Sequence, residues 1–222
     1  MRLAVRFSKG DAVRFVSHLD VMRLFQRAFR RAKLPLAYSQ GFNPHPLISF
    51  ATALSVGMTS RCEYLDAVLD EDVAPDVFRA AVREHLPEGV DVVEVFDLKD
   101  SRKSLTSAMR SASYSAKAVF AAPVNRERLE AAVSELLSGE IVVQKKTKGG
   151  IKPTDIRPMV KEMTLEAVDG TDAVFFIRGA LTAEGGLNPD MLLKELWAKL
   201  GEEASSDIER IEIELDRQYL LS

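Results

Sequence analysis

Short runs of alternating apolar and polar residues are broken by longer runs with a helical period. Leu3, Val5 and Phe7 alternate with Ala4 and Arg6, the two-residue period of a half-buried strand over Met1–Phe7. Ser17-His18-Leu19-Asp20 then reads as a helix start, with Ser17 as cap and Asp20 three residues on. Val21, Phe25, Ala28, Phe29 and Ala32 share one face of that helix, which runs to about Lys33, and Pro35 closes it. Strands follow at Leu47–Ala51 and Glu63–Leu69, a helix at Pro75–His85 and a strand at Val90–Phe96.

The order β-α-β-β-α-β is that of a ferredoxin-like unit. It returns after a polar stretch. Tyr114–Ala122 reads as a strand, Asn125–Ser138 as a helix and Ile141–Lys145 as a strand. Val160–Val168 and Ala173–Gly179 read as a hairpin over Asp169-Gly170. Pro189–Leu200 reads as a helix capped by Asn188, and Ile211, Ile213 and Leu215 mark a last strand. The expected fold is therefore α+β, with two tandem ferredoxin-like halves, 1–98 and 112–222, joined by a linker at 99–111. The second half carries extra β structure and a basic loop at 145–158. The duplication rests on element order, because the two halves share no sequence repeat.

At 222 residues and 46% hydrophobic, the chain suffices for one large or two small cores. No apolar run approaches the roughly 20 residues of a membrane span, and the N-terminus reads as a strand and not as a leader, so a cytoplasmic location is expected. One cysteine, Cys62, and three histidines leave no recognisable metal or iron–sulfur motif, and no cofactor site is read in the chain.

Charge changes the picture more than composition does. The net charge of −3 conceals +7 over residues 1–50, +5 over residues 145–161 and −15 elsewhere. Two concentrated basic segments in an acidic chain suit a polyanion, most often nucleic acid; the plain alternative is two solvated faces. Arg23, Arg27 and Arg30 recur at helical spacing in the first segment, with Arg31 beside them. Part of that stripe is accounted for by the dipole at the helix C-terminus. Lys145, Lys146, Lys148, Lys152 and Arg157 make up the second, around Gly149-Gly150, and lysines on such a segment suit phosphates.

Between them lies Tyr38-Ser39-Gln40-Gly41-Phe42-Asn43-Pro44-His45-Pro46, a turn-rich loop stiffened by its prolines. Tyr38, Phe42 and His45 suit base stacking there, and Gln40 and Asn43 suit base edges; alternatively Phe42 plugs the core. Candidate catalytic groups are few: Asp155 among cations, His45 in the loop, and His18 at the helix start, which does not face Asp20. The sequence carries no phosphate-loop, dinucleotide-binding or nucleophile-elbow motif.

Phe15-Val16-Ser17-His18-Leu19-Asp20-Val21-Met22-Arg23, Arg27-Ala28-Phe29-Arg30-Arg31-Ala32, Leu34-Pro35 and the Tyr38–Pro46 loop together resemble a radical SAM-linked bacterial family of unknown function. Glu63-Tyr64-Leu65-Asp66 and the segment from Lys152 to Pro158 extend the resemblance over essentially the whole chain. The resemblance implies a partner: family members accompany, or are fused to, a radical SAM protein with a cobalamin-binding region. Their genes often lie near those for ribonuclease E/G and ribosomal proteins.

These observations lead to the expectation of an accessory module for tRNA or rRNA. Arg23, Arg27, Arg30, Arg31, Lys145, Lys146, Lys148, Lys152 and Arg157 would meet phosphates, and Tyr38, Phe42, Asn43 and His45 a base. Two alternatives stay open. One is an RNA-modifying or RNA-cleaving enzyme, resembling a pseudouridine synthase or an endoribonuclease in its fold layout. The other is an adaptor for the radical SAM protein that touches no RNA.

Overall fold

The computed structural model describes residues 1–98, 104–147 and 150–216. The chain divides into two compact units, residues 1–110 with 213–222, and residues 111–212. Both are mixed α and β, built on mostly antiparallel strands.

In the first unit, β1 (Arg2–Lys9) leads through a short 3-10 turn to α1 (His18–Arg31). Then come β2 (Ile48–Phe50), β3 (Thr59–Val68), α2 (Pro75–Arg83), β4 (Val90–Asp97) and the single turn α3 (Leu105–Ala108). β1 is central: Val5 faces Leu65 of β3 on one side and Val95 of β4 on the other, both antiparallel, and β2 pairs antiparallel with β3. The ladder runs β4-β1-β3-β2.

α1 forms because its start is capped twice over. The Ser17 hydroxyl accepts from the Asp20 N–H at 3.3 Å and donates to the Asp20 carboxylate at 2.8 Å. Val21, Phe25, Ala28 and Phe29 form its buried stripe. The helix stops at Arg31, two residues short of the expected end. Lys33 turns back at φ +53°, and the Leu34 N–H donates to Phe29 O. Phe25 meets Phe7 at 4.7 Å between ring centroids, which ties α1 to the sheet, and Phe29 meets Phe78 of α2 at 5.4 Å, which ties the two helices together. Gly89 is required where the chain re-enters β4: it sits at φ +89°, and a Cβ there would stand 2.9 Å from that of Ala12.

The second unit contains most of β5 (Met109–Phe120), then α4 (Arg126–Leu137), β6 (Val142–Thr147), β7 (Gly150–Asp155), β8 (Val160–Asp169), β9 (Asp172–Thr182), the two-residue β10 (Gly185–Gly186), α5 (Pro189–Leu200) and most of β11 (Ala204–Leu215). Its ladder runs β8-β9-β5-β11, with β10 also on β9. Asn125 and Asn188 cap α4 and α5 through their side-chain oxygens, each accepting at 3.0 Å. Trp197 of α5 packs on Phe120 and Phe175, at 5.1 and 5.7 Å.

Two stretches differ from expectation. The region expected as a linker holds α3 and the start of β5, while residues 99–103 lie outside the described residues. The segment expected as a basic loop is mostly strand: β6 and β7 form their own two-stranded ribbon, with Lys145 opposite Lys152 and Gln144 opposite Pro153. A proline is tolerated there because a ribbon of two strands is all edge.

Candidate nucleic-acid interface

The arginines of α1 differ in their partners. Arg23 holds Asp20 at 3.0 Å. The Asp20 carboxyl is kept below its ordinary range chiefly by the Ser17 hydroxyl, then by Arg23. Arg27, Arg30 and Arg31 are exposed and form no ion pair among the described residues. These three cations on the last two turns form no ion pair, although the charge of Arg27 joins that of Arg23 in lowering the pKa of Asp20.

The loop after α1 is clasped at its base. The Ser39 N–H donates to His45 O at 2.9 Å, and the His45 N–H donates to the Ser39 hydroxyl at 3.1 Å. The same hydroxyl lies 2.8 Å from His45 Nδ1. Tyr38 and Pro46 bridge just below. Gly41 turns the tip at φ +131°. Phe42 does not plug the core: its side chain is fully exposed at the tip, with Asn43 exposed beside it and Tyr38 44% exposed at the base. His45 is therefore engaged with Ser39, and of the rings on the loop that of Phe42 is more exposed than that of Tyr38.

Among the second-unit residues, Lys145 is half-buried and Lys152 exposed, and neither is ion-paired among the described residues. Lys148 and the side chain of Lys146 lie outside the described residues. Arg157 is occupied internally: its Nε donates to Leu137 O at 2.6 Å, the end of α4, and Nη1 to Val160 O at 3.1 Å. The Asp155 carboxylate accepts from the backbone N–H groups of Ile141 and Arg157, both at 2.9 Å, and so ties the foot of the ribbon.

His18 leads to residues that the sequence pattern does not single out. Lys9 and Glu63, only 2% and 3% exposed, converge with His18 on a cavity of about 10 Å³ walled by Phe7, Val16 and Phe50. Lys9 Nζ donates to Arg14 O at 2.8 Å. Burial lowers the pKa of Lys9, opposed by the Glu63 carboxylate; burial likewise lowers that of His18, again opposed by Glu63. His18 also sets its ring edge against Phe50 at 5.5 Å. The cavity has room for about one water, with polar partners to hold it. The one sequence signal for this cluster is that Glu63 stands in register with buried Leu65 and Ala67, an acid on the core side of a strand.

A family model described as an uncharacterised protein conserved in bacteria (DUF2344) matches residues 2–189. No curated protein matches the chain. Among solved structures, it is similar to a chain of an H/ACA RNP bound to a substrate RNA containing 2′-deoxyuridine. That likeness has 13% identity and a TM-score of 0.54, over 95% of this chain and 47% of the other. It is also similar to a chain of a Cbf5–Nop10–Gar1 complex, with 11% identity and a TM-score of 0.54, over 95% and 48%. A chain of an archaeal box H/ACA sRNP Nop10–Cbf5 complex shows 13% identity and a TM-score of 0.52, over 94% and 46%. The chain spans about half the length of each, and the likeness is one of fold. No helix among the described residues is long and apolar enough to cross a membrane.

Proposed function

The chain belongs to the bacterial DUF2344 family, and we propose that it is an accessory RNA-binding module that works with a radical SAM, cobalamin-binding partner on tRNA or rRNA in the cytoplasm. The observation that carries this is the first unit's pairing of exposed α1 arginines that form no ion pair, Arg27, Arg30 and Arg31, with a clasped loop that exposes Phe42. The arginines supply sequence-independent attraction to phosphates, and the loop supplies a rigid ring on which one unpaired base stacks. Lys145 and Lys152 of the ribbon add phosphate contacts from the second unit. A chain of similar fold sits in an RNP bound to a substrate RNA, which agrees with this use of the scaffold. The ladder orders β4-β1-β3-β2 and β8-β9-β5-β11 support two tandem ferredoxin-like halves, residues 1–98 and 112–222, with 99–111 between them. The radical SAM partner rests on the sequence resemblance.

The test is RNA binding by the purified full chain across a salt series. Each phosphate contact contributes about 0.7–0.9 to the slope of log affinity against log salt. Phe42→Ala is expected to weaken binding about ten-fold at every salt concentration without changing the slope, as loss of one base stack requires. Binding that ignores salt, or a chain that recovers a radical SAM protein from its host and no RNA, would overturn the proposal; the second result favours the adaptor.

A further inference from the structure

One groove of the first unit collects cations that its surroundings leave unpaired. On α1 and α2, Arg23 holds Asp20 at 3.0 Å, Arg79 holds Asp76 at 3.5 Å and Arg83 holds Asp91 at 2.7 Å. Arg27 and Arg31, one helical turn apart, form no ion pair among the described residues, although Glu84 lines the same groove and Arg27 also feels the Asp20 carboxylate at a distance. His85 lies with Glu84 on the facing wall, after the end of α2, and Leu24, Leu86 and Pro87 supply apolar surface. The groove measures about 450 Å³, within the range of small-ligand sites, whereas the Lys9–His18–Glu63 cavity has room for about one water.

We propose that this groove seats a phosphomonoester, with Arg27 and Arg31 on the phosphate, His85 as a further donor, and the apolar wall against the rest of a nucleotide. Two guanidiniums match the two charges of a monoester better than the single charge of an internal phosphodiester. The ends of α1 and α2 each contribute only about half a negative charge, which two full positive charges outweigh. Glu84 opposes the anion, so its neutralisation has a predictable sign. If the phosphate is an RNA end, the seat rests on the RNA reading above; if it belongs to a free nucleotide, it does not.

The experiment is an NMR titration of the full chain with AMP, adenosine and inorganic phosphate. AMP is expected to bind at least ten-fold tighter than adenosine and to shift the His85 ring signals. Arg27→Gln and Arg31→Gln each weaken AMP binding about ten-fold, Glu84→Gln tightens it, and Arg79→Gln leaves it unchanged. Equal binding of AMP and adenosine, or a loss on Arg79→Gln equal to that on Arg27→Gln, overturns the seat. A parallel comparison uses one oligoribonucleotide with a 5′-phosphate or a 5′-hydroxyl. Preference for the phosphorylated form assigns the seat to an RNA end. AMP binding without that preference assigns it to a free nucleotide, and binding of neither phosphate overturns it.

Discussion

Replacing Glu63 by glutamine keeps the shape of the side chain and removes its charge. The Lys9 ammonium is then left in a site 2% exposed, with Arg14 O at 2.8 Å as its described acceptor. Opposite unit charges sharing one buried site interact by about 2–4 kcal/mol at an effective dielectric near 20. Measured losses on breaking buried pairs run to about 3–5 kcal/mol. Glu63→Gln is therefore expected to lower the stability of the first unit by about 3 kcal/mol, a large share of the roughly 5–15 kcal/mol typical of a domain. The assay is amide exchange of β1 and β3 together with urea unfolding followed by circular dichroism. Fluorescence of the single tryptophan, Trp197, is a poor substitute because it lies in the second unit. With a urea dependence of about 1–3 kcal/mol per molar, the midpoint should fall by about 1–3 M. The double variant Lys9→Met/Glu63→Leu removes both charges and should recover most of the loss. A single variant within about 0.5 kcal/mol of the parent would refute the argument, because Lys9 would then not depend on Glu63.

Three further outcomes follow from the same structure. Burial lowers the folded pKa of His18 below its ordinary value of 6.5, so below that pH the unfolded chain takes up a proton that the folded chain resists; stability should fall as pH drops below 6.5 until the folded pKa is passed. His18→Asn should flatten that slope in urea midpoints measured from pH 5 to 8. Ser17→Ala removes the α1 cap and should cost about 1 kcal/mol in thermal or urea unfolding. Asp155→Ala strips an acceptor from two backbone N–H groups, and should cost about 1–3 kcal/mol and speed amide exchange at Ile141 and Arg157.

Local chemistry was legible in the sequence where it acts over a few residues. The Ser17 and Asn188 caps and Pro75 and Pro189 at helix starts stand where the pattern places them, while the β8–β9 turn, expected over Asp169-Gly170, falls one residue later, on Gly170-Thr171 between the paired Asp169 and Asp172. The first strand of the ribbon was legible as Ile141–Lys145, but its partner β7 was not, because Gly149-Gly150 and Pro153 are loop signals and the pairing joins residues up to 13 apart. The Lys9–Glu63 approach joins β1 to β3, and charged residues read as surface until tertiary packing puts them inside. The Tyr38–Pro46 loop was legible as stiff and chemically equipped. The clasp that occupies His45 depends on a chain reversal at Gly41, which fixes a contact that spacing alone does not reveal.

That clasp separates what the loop is from what it displays. Its hydrogen bonds run between Ser39 and His45 and use no side chain from residues 40–44. The tip is thus a cassette: Gln40, Phe42 and Asn43 can be exchanged for other side chains while the frame that carries them stays closed. A library randomised at these three positions should remain folded while its members differ in the ligands they retain, which makes this loop the natural place to redirect recognition without redesigning the scaffold.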